Sequence, residues 1–214
     1  MSILATNYRS TNLFEDTAIF KISLRWNEVN MINARLLIVG CVVALCSLPL
    51  TAVADTFNYS GGCFWCTEAD SEELEGVSEV ISGFTGGTTP SPRYESGKWG
   101  DHREAAQIIY DPTVISYEEL VKHVYATIDY EDDEGQFCDR GRSYSPVIYF
   151  KTEEERLVAE RLAPETSVVP IEPESTFYPV REEHQNYYKK QSIKYNYYRV
   201  RCGRDRRIKV LNSE

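Results

Sequence analysis

The chain has 214 residues, 42% of them hydrophobic and 26% charged, with a formal net charge of -10. That balance is globular rather than disordered, and the length suits one domain plus an extension. The acidic excess excludes a nucleic-acid binder, which needs clustered positive charge, and excludes electrostatic steering onto an anionic membrane surface.

Residues 1–30 mix Glu15, Asp16 and Glu28 with scattered apolar positions and carry no targeting pattern. Residues 36–50, LLIVGCVVALCSLPL, follow Arg35 and precede Ala52-Val53-Ala54. A basic start, a short apolar core and a small-x-small site predict a secretory signal peptide cut after Ala54. The run is shorter than the roughly 20 residues of a spanning helix, and Pro49 interrupts its end. The signal-like unit is therefore 31–54, with Met31 as the expected initiator and 1–30 as a false start. The mature protein is expected in the periplasm or outside the cell, free of the membrane. Ile38-Val39-Gly40-Cys41 also looks like a lipid-attachment box, a minor alternative because few apolar residues precede Cys41.

Residues 55–214 contain no internal repeat or long linker and read as one domain. Phe57–Ser60 predicts a strand running into Gly61-Gly62, followed by a helix from Phe64 to Glu75 that stops at Gly76. Val77–Phe84 and Glu104–Tyr110 predict strands, the second from its alternation. Ser116 with Glu119 forms a capping box for a helix whose apolar face is Leu120, Val121, Val124 and Ile128. Pro146–Phe150 predicts a strand, and Thr152 with Glu155 caps a helix that must stop by Pro164. A strand at Val168–Ile171 and a helix at Val180–Lys190 complete the order. The expected fold is α+β: one domain, a mixed β-sheet with packed helices, and a ferredoxin-like βαββαβ core plus extensions. Arg199, Arg201, Arg204, Arg206 and Arg207 are expected as a solvated tail. The acidic run Glu131–Glu134 reads as a solvated loop without calcium-ligand spacing.

Six cysteines are too few for a disulfide scaffold, and two, Cys41 and Cys46, fall in the apolar run. Of the other four, Cys63 stands where a strand gives way to a helix, in Gly61-Gly62-Cys63-Phe64-Trp65-Cys66. A helix N-terminus carries partial positive charge that favours thiolate over thiol. The preceding glycines are expected to let a substrate approach the backbone closely. Phe64 and Trp65 put an apolar aromatic surface beside a sulfur nucleophile, which suits a small soft group such as a thioether methyl.

Gly-Cys-Phe-Trp resembles the signature of the A-type peptide methionine sulfoxide reductases. The resemblance continues in Ser82–Gly87, Pro92-Arg93-Tyr94, His102–Ala105, Tyr110-Asp111-Pro112, Gly135–Gly141 with Tyr144, Phe177-Tyr178-Pro179, His184-Gln185 and Cys202–Asp205, covering residues 57–205. It implies that Cys63 attacks the sulfoxide sulfur, with Phe64 and Trp65 holding the substrate methyl. It implies that Glu104 protonates the departing oxygen, that Tyr94 and Tyr144 hydrogen-bond it, and that Asp139 belongs to the same site. It further implies preference for the S epimer, in proteins and in the free amino acid, and a thioredoxin-like reductant. No cofactor and no metal is expected. The chain departs from the family in Phe84 for Tyr, Asp101 for Gly, a shorter loop between Tyr94 and Glu104, and Cys66 for the commoner Gly, as in one subgroup.

A sulfoxide oxygen leaves only when protonated, so the acid must stay neutral near pH 7, which burial beside aromatic rings achieves. Attack leaves a sulfenic acid at Cys63, which a second thiol condenses into a disulfide. Cys202 is the expected resolving thiol, because arginines surround it and chain ends are mobile. Cys66 is the second candidate, and Cys138 is disfavoured by the charge of Asp139. Two rival functions remain open at this point: a general dithiol-disulfide oxidoreductase using Cys63 and Cys66, and a binding module with zinc held by all four cysteines.

Overall fold

The computed structural model describes residues 53–94 and 99–213. Residues 1–30, read as a false start, Met31, the expected initiator, and the apolar core of the 31–54 signal-like unit lie outside the described residues.

Strand β1 (Asp55–Ser60) leads through a glycine pair into helix α1 (Phe64–Ser71), then β2 (Val77–Thr85) and β3 (Arg103–Tyr110). Helix α2 (Tyr117–Thr127) follows, and strand β6 (Val147–Phe150) comes after a two-strand hairpin, β4 (Gly135–Gln136) and β5 (Asp139–Arg140). β1 pairs antiparallel with both β3 and β6, and β2 pairs antiparallel with β3. The central order β6-β1-β3-β2 is the expected ferredoxin-like βαββαβ arrangement. β7 (Ile171–Pro173) adds parallel to β6, and β8 (Tyr178–Pro179) adds antiparallel to β2, so the six-stranded sheet is mixed.

Both predicted capping boxes are present, Ser116 with Glu119 on α2 and Thr152 with Glu155 on α3 (Glu153–Leu162). Each satisfies two orphan N–H groups, worth about 1 kcal/mol per cap. The predicted face of α2 buries Leu120, Val121 and Val124 against Phe57, Ile108 and Ile148 of the sheet. Full burial of each such aliphatic side chain contributes about 1.5–3 kcal/mol.

Helix α1 stops at Ser71 rather than at Glu75, and three further expectations need correction. The helix predicted over Val180–Lys190 is broken into a turn at Glu182–His184 and α4 (Tyr187–Lys190), with Asn186 between them at φ 54°. The Gln185 side chain causes the break: it accepts from the Ser82 N–H and donates to the Ser82 carbonyl, both at 2.9 Å, so this segment serves the sheet edge. The strand predicted at Val168 begins only at Ile171, because the Val168 N–H is taken by the Tyr130 carbonyl.

The third correction concerns the basic tail, which is two helices, α5 (Ser192–Cys202) and α6 (Arg204–Leu211), joined at Gly203 in the left-handed conformation. Arg204 is 2% exposed. Its Nε donates to Asp70 at 3.0 Å, while its Nη atoms donate to the Gly61 and Thr127 carbonyls at 3.1 and 2.7 Å. Arg199 also reaches Asp70, and Arg207 pairs with Asp129 and Glu131. Only Arg201 and Arg206 of the five are exposed as expected. A buried guanidinium with its donors filled is far from a solvated tail, and it fastens the C-terminal helices to the loop before Cys63.

Candidate active site

Cys63 is the residue before the first turn of α1, and its carbonyl accepts the Cys66 and Thr67 N–H groups at 3.0 and 3.2 Å. Gly62 has φ +87°, and a Cβ there would lie 2.6 Å from Gln136 Cβ. The close approach that requires glycine is thus with Gln136 inside the fold, which corrects the expectation that this glycine serves the substrate.

Glu104 projects from β3 opposite Phe84 of β2. It is 2% exposed, and its Oε2 accepts the Phe64 N–H at 3.0 Å. The strand and the helix start are thereby locked together at the nucleophile. A cavity of about 160 Å³ opens here, lined by Cys63, Phe64, Trp65, Tyr94, Glu104, Asp139, Tyr144 and Tyr198. Apart from Cys202, every site residue read from the sequence meets in this one cavity.

Its apolar wall is a ring cluster. Phe64 lies 5.8 Å from Phe84 and 5.7 Å from Tyr94 by ring centroids, and Trp65 stacks on Tyr187 at 3.9 Å. Glu68, one turn further along α1, fixes this wall by accepting the Asn186 N–H at 2.8 Å, which seats Tyr187. Tyr198, on α5, was missed by sequence reasoning. It presents its ring edge to Trp65, and its hydroxyl donates to Asp139. Fifteen tyrosines in the chain make one more in a C-terminal helix an uninformative signal.

Burial pushes the Glu104 carboxyl up to about 8; the nearby Asp139 and Cys66 charges add to this, against the hydrogen bond from Phe64 N–H. The acid is therefore mostly neutral at pH 7. Burial likewise raises Asp139 and the Tyr94 and Tyr144 phenols, Tyr94 to about 12, so both phenols keep their protons as donors.

The two thiols of the motif are free and buried, with Cys63 7% and Cys66 2% exposed. Burial raises the Cys63 thiol, and the hydrogen bond to Cys66 raises it further, with Tyr198 acting the other way. Cys66 is lowered by the hydrogen bond from Cys63 and, against burial, by the Arg204 charge. The helix start alone was expected to make Cys63 the thiolate. Desolvation acts against it in the resting site and pushes the Cys63 thiol up.

Cys202 is bonded to Cys138 across 64 residues, with Cα atoms 4.9 Å apart. In this state Cys202 is thus joined to Cys138 and not to Cys63, the partner expected in the resolving step; α5 ends in Cys202, two residues before the buried Arg204. The pairing also speaks against zinc held by all four cysteines, since two sulfurs are bonded to each other and the other two are not grouped with them. The disulfide borders the site, with Cys202 Sγ 3.8 Å from Asp139 Oδ2.

A nucleophilic thiol with a second thiol beside it, a neutral buried acid and two phenols in an aromatic cavity define a thiol-dependent oxidoreductase. A family model described as peptide methionine sulfoxide reductase matches residues 55–214. The peptide methionine sulfoxide reductase MsrA 2 of Rhizobium meliloti is 38% identical over 185 residues, 83% of this chain and 93% of its own. The MsrA/MsrB protein of Vibrio cholerae is 41% identical over 174 residues, 73% of this chain, which spans only 46% of that relative. Methionine sulfoxide reductase A of Corynebacterium diphtheriae superimposes with a TM-score of 0.59 at 28% identity, covering 67% of this chain and 77% of its own. The chain belongs to the peptide methionine sulfoxide reductases and is of the A type.

Proposed function

We propose that the protein reduces methionine S-sulfoxide, in proteins and as the free amino acid, as a repair enzyme for oxidised proteins. The observation that carries this reading is the Phe64 N–H to Glu104 bond, which holds a neutral acid at the nucleophile's helix start. The substrate methyl packs on Phe64 and Trp65, and the sulfoxide oxygen takes hydrogen bonds from Glu104, Tyr94 and Tyr144. Cys63 sulfur attacks the sulfoxide sulfur, its own proton passing to Cys66. Glu104 gives its proton to the oxygen; the hydroxyl then passes from the substrate sulfur to Cys63 as the bond between the two sulfurs breaks, so methionine leaves and Cys63 is left as a sulfenic acid.

Cys66 then attacks the Cys63 sulfur, the hydroxyl departs as water, and a Cys63–Cys66 disulfide forms. A thioredoxin-like dithiol reduces it, so one sulfoxide and one dithiol give one thioether, one disulfide and one water. We take Cys66 rather than Cys202 as the resolving thiol because it is unbonded and three residues from Cys63 at the same helix start, while Cys202 is bonded to Cys138. The test is reduction of each sulfoxide epimer of methionine, free and in a peptide, with dithiothreitol as donor. Reduction of the S epimer is expected, and equal rates with both epimers would contradict the reading.

Export belongs to the same proposal. It rests on the apolar run 36–50 after Arg35 and the Ala52-Val53-Ala54 site, which predict a periplasmic or secreted mature form beginning at Asp55. N-terminal sequencing of the mature protein checks it, and a retained residue 36–50 segment would refute it.

A further inference from the structure

The two phenols of the reaction cavity hang from loops rather than from the sheet. Tyr94 lies between β2 and β3, and Tyr144 ends the short turn Arg142–Tyr144 that follows β5. A donor that must be ordered while the bond breaks stabilises little, so both hydroxyls need holding in advance. Trp99 reaches both loops. Its indole lies 20° from the plane of Tyr94 and 11° from that of Phe84 on β2, with ring centroids 5.8 Å apart in each case. Its Nε1–H donates to Ser143 Oγ at 2.6 Å, inside the turn that ends in Tyr144. The segment that carries the indole is itself fixed. The Trp99 carbonyl accepts the His102 N–H at 3.1 Å, and Arg142 Nε donates to the Asp101 carbonyl at 3.2 Å. The Asp101 carboxylate accepts the N–H and hydroxyl groups of Thr88 and Thr89 at 2.7 to 2.9 Å.

We propose that Trp99 is a positioning residue for the reduction, setting Tyr94 by stacking and Tyr144 through Ser143. The inference rests on the reductase reading above and deepens it. Both phenols line the cavity and Trp99 does not, so it acts on the sulfoxide oxygen only through their hydroxyls. Parallel, offset rings resist tilting of Tyr94 against the support that Phe84 provides. The indole hydrogen bond pins the middle of a three-residue turn, so it sets where the Tyr144 side chain leaves the backbone. One side chain thereby fixes the spacing between two hydroxyls on different loops. Negative charge builds on the oxygen as the Cys63 sulfur attacks, so the phenols hold it more tightly in the transition state than in the bound substrate. Misplacing them therefore slows the chemical step, whereas KM is set by the methyl pocket of Phe64 and Trp65 and stays.

The experiment measures KM and single-turnover methionine formation with N-acetylmethionine S-sulfoxide amide. Ser143→Ala and Trp99→Phe each remove one end of the hydrogen bond and keep every side chain of the cavity. Each is expected to slow single turnover about fivefold at unchanged KM. Trp99→Leu also removes the stack on Tyr94 and is expected to slow it about 20-fold. Tyr144→Phe supplies the deciding background. With that hydroxyl gone, Ser143→Ala should slow the reaction no further, because the tie matters only through the phenol. A loosened loop that damages the site in general would lower the rate equally in both backgrounds. Such equal losses, a loss confined to KM, or wild-type rates in both Ser143→Ala and Trp99→Leu would overturn the assignment. Failure of the wild type to reduce the amide at all would instead sink the reductase reading beneath it.

Discussion

Two cysteine pairs lie on either side of Asp139 and Tyr198, and they differ in every physical respect. Cys63 and Cys66 are buried and not disulfide-bonded, three residues apart at the start of a helix. Cys138 is exposed in a hairpin turn, with Phe137 before it at φ 56°, and it is bonded to Cys202 at the end of another helix. The first pair has an acid, phenols and aromatic walls around it, so its sulfur can do chemistry on a small apolar group. The second joins the hairpin to the C-terminal helices and stands at the rim. The same side chain is a reagent in one setting and a fastening in the other. Neighbours decide which.

The sharpest way to break that distinction is Cys63→Ser. A hydroxyl cannot supply the sulfur nucleophile, so no methionine should appear even in a single turnover, while circular dichroism shows an intact fold. Methionine release from this variant would move the nucleophile to the other pair.

Glu104→Gln should have the next largest effect on the chemistry. The amide oxygen still accepts the Phe64 N–H, so the geometry survives, but no proton can be given. Single-turnover methionine formation should slow by about 10²–10⁴-fold. The pH dependence follows from the raised carboxyl. The acid is protonated below about 8, so the wild-type rate is high there and falls as pH rises through that value. The variant should lose this descending limb, and a limb that persists would place the acid elsewhere.

Arg204→Ala tests the fastening rather than the chemistry. It leaves the half-buried Asp70 with only Arg199 and strands the Gly61 and Thr127 carbonyls. Urea unfolding under fixed redox conditions should show a loss of about 3–5 kcal/mol. A loss below about 1 kcal/mol would mean that water or Arg199 fills the place of the guanidinium.

The two regions were also unequally legible in the sequence. The βαββαβ core announced itself through local signals: capping boxes at Ser116 and Thr152, alternation along β3, and a helix start after Gly61-Gly62. Cys63, Phe64, Trp65 and Glu104 stand on those elements, and a motif with ordered matches pointed to each of them. The C-terminal segment gave the opposite impression. Its helices expose Ile193, Tyr197 and Val200 and bury mainly Tyr195, Arg204 and Leu211, so no apolar stripe marks them. What holds them is the long-range pairing of Arg204 and Arg199 with Asp70. A run of arginines cannot show from its own composition which member has a carboxylate partner 134 residues earlier. Tyr198 was hidden for the same reason, since its place at Asp139 exists only once α5 has docked.

The smallest expected effect, and the one that separates the two pairs most finely, comes from comparing Cys66→Ser with Cys202→Ser. If Cys66 resolves the sulfenic acid, Cys66→Ser releases one methionine per enzyme and stalls, with the sulfenic acid trapped by dimedone at Cys63. Cys202→Ser keeps the Cys63 and Cys66 pair intact, so with dithiothreitol as donor it should turn over close to the wild-type rate. Its cost falls on stability instead. The lost bridge closes a loop of 64 residues, and its removal should lower the unfolding free energy by about 2–4 kcal/mol in non-reducing buffer. In reducing buffer the wild type loses the same bridge, so the difference between the two proteins should largely vanish. Peptide mapping after one equivalent of methionine sulfoxide completes the comparison: Cys63–Cys66 is expected in wild type and in Cys202→Ser alike. A Cys63–Cys202 bridge in wild type, or a Cys202→Ser variant that stalls after one turnover with dithiothreitol, would show that the fastening opens during the reaction and that the outer pair is the resolving one.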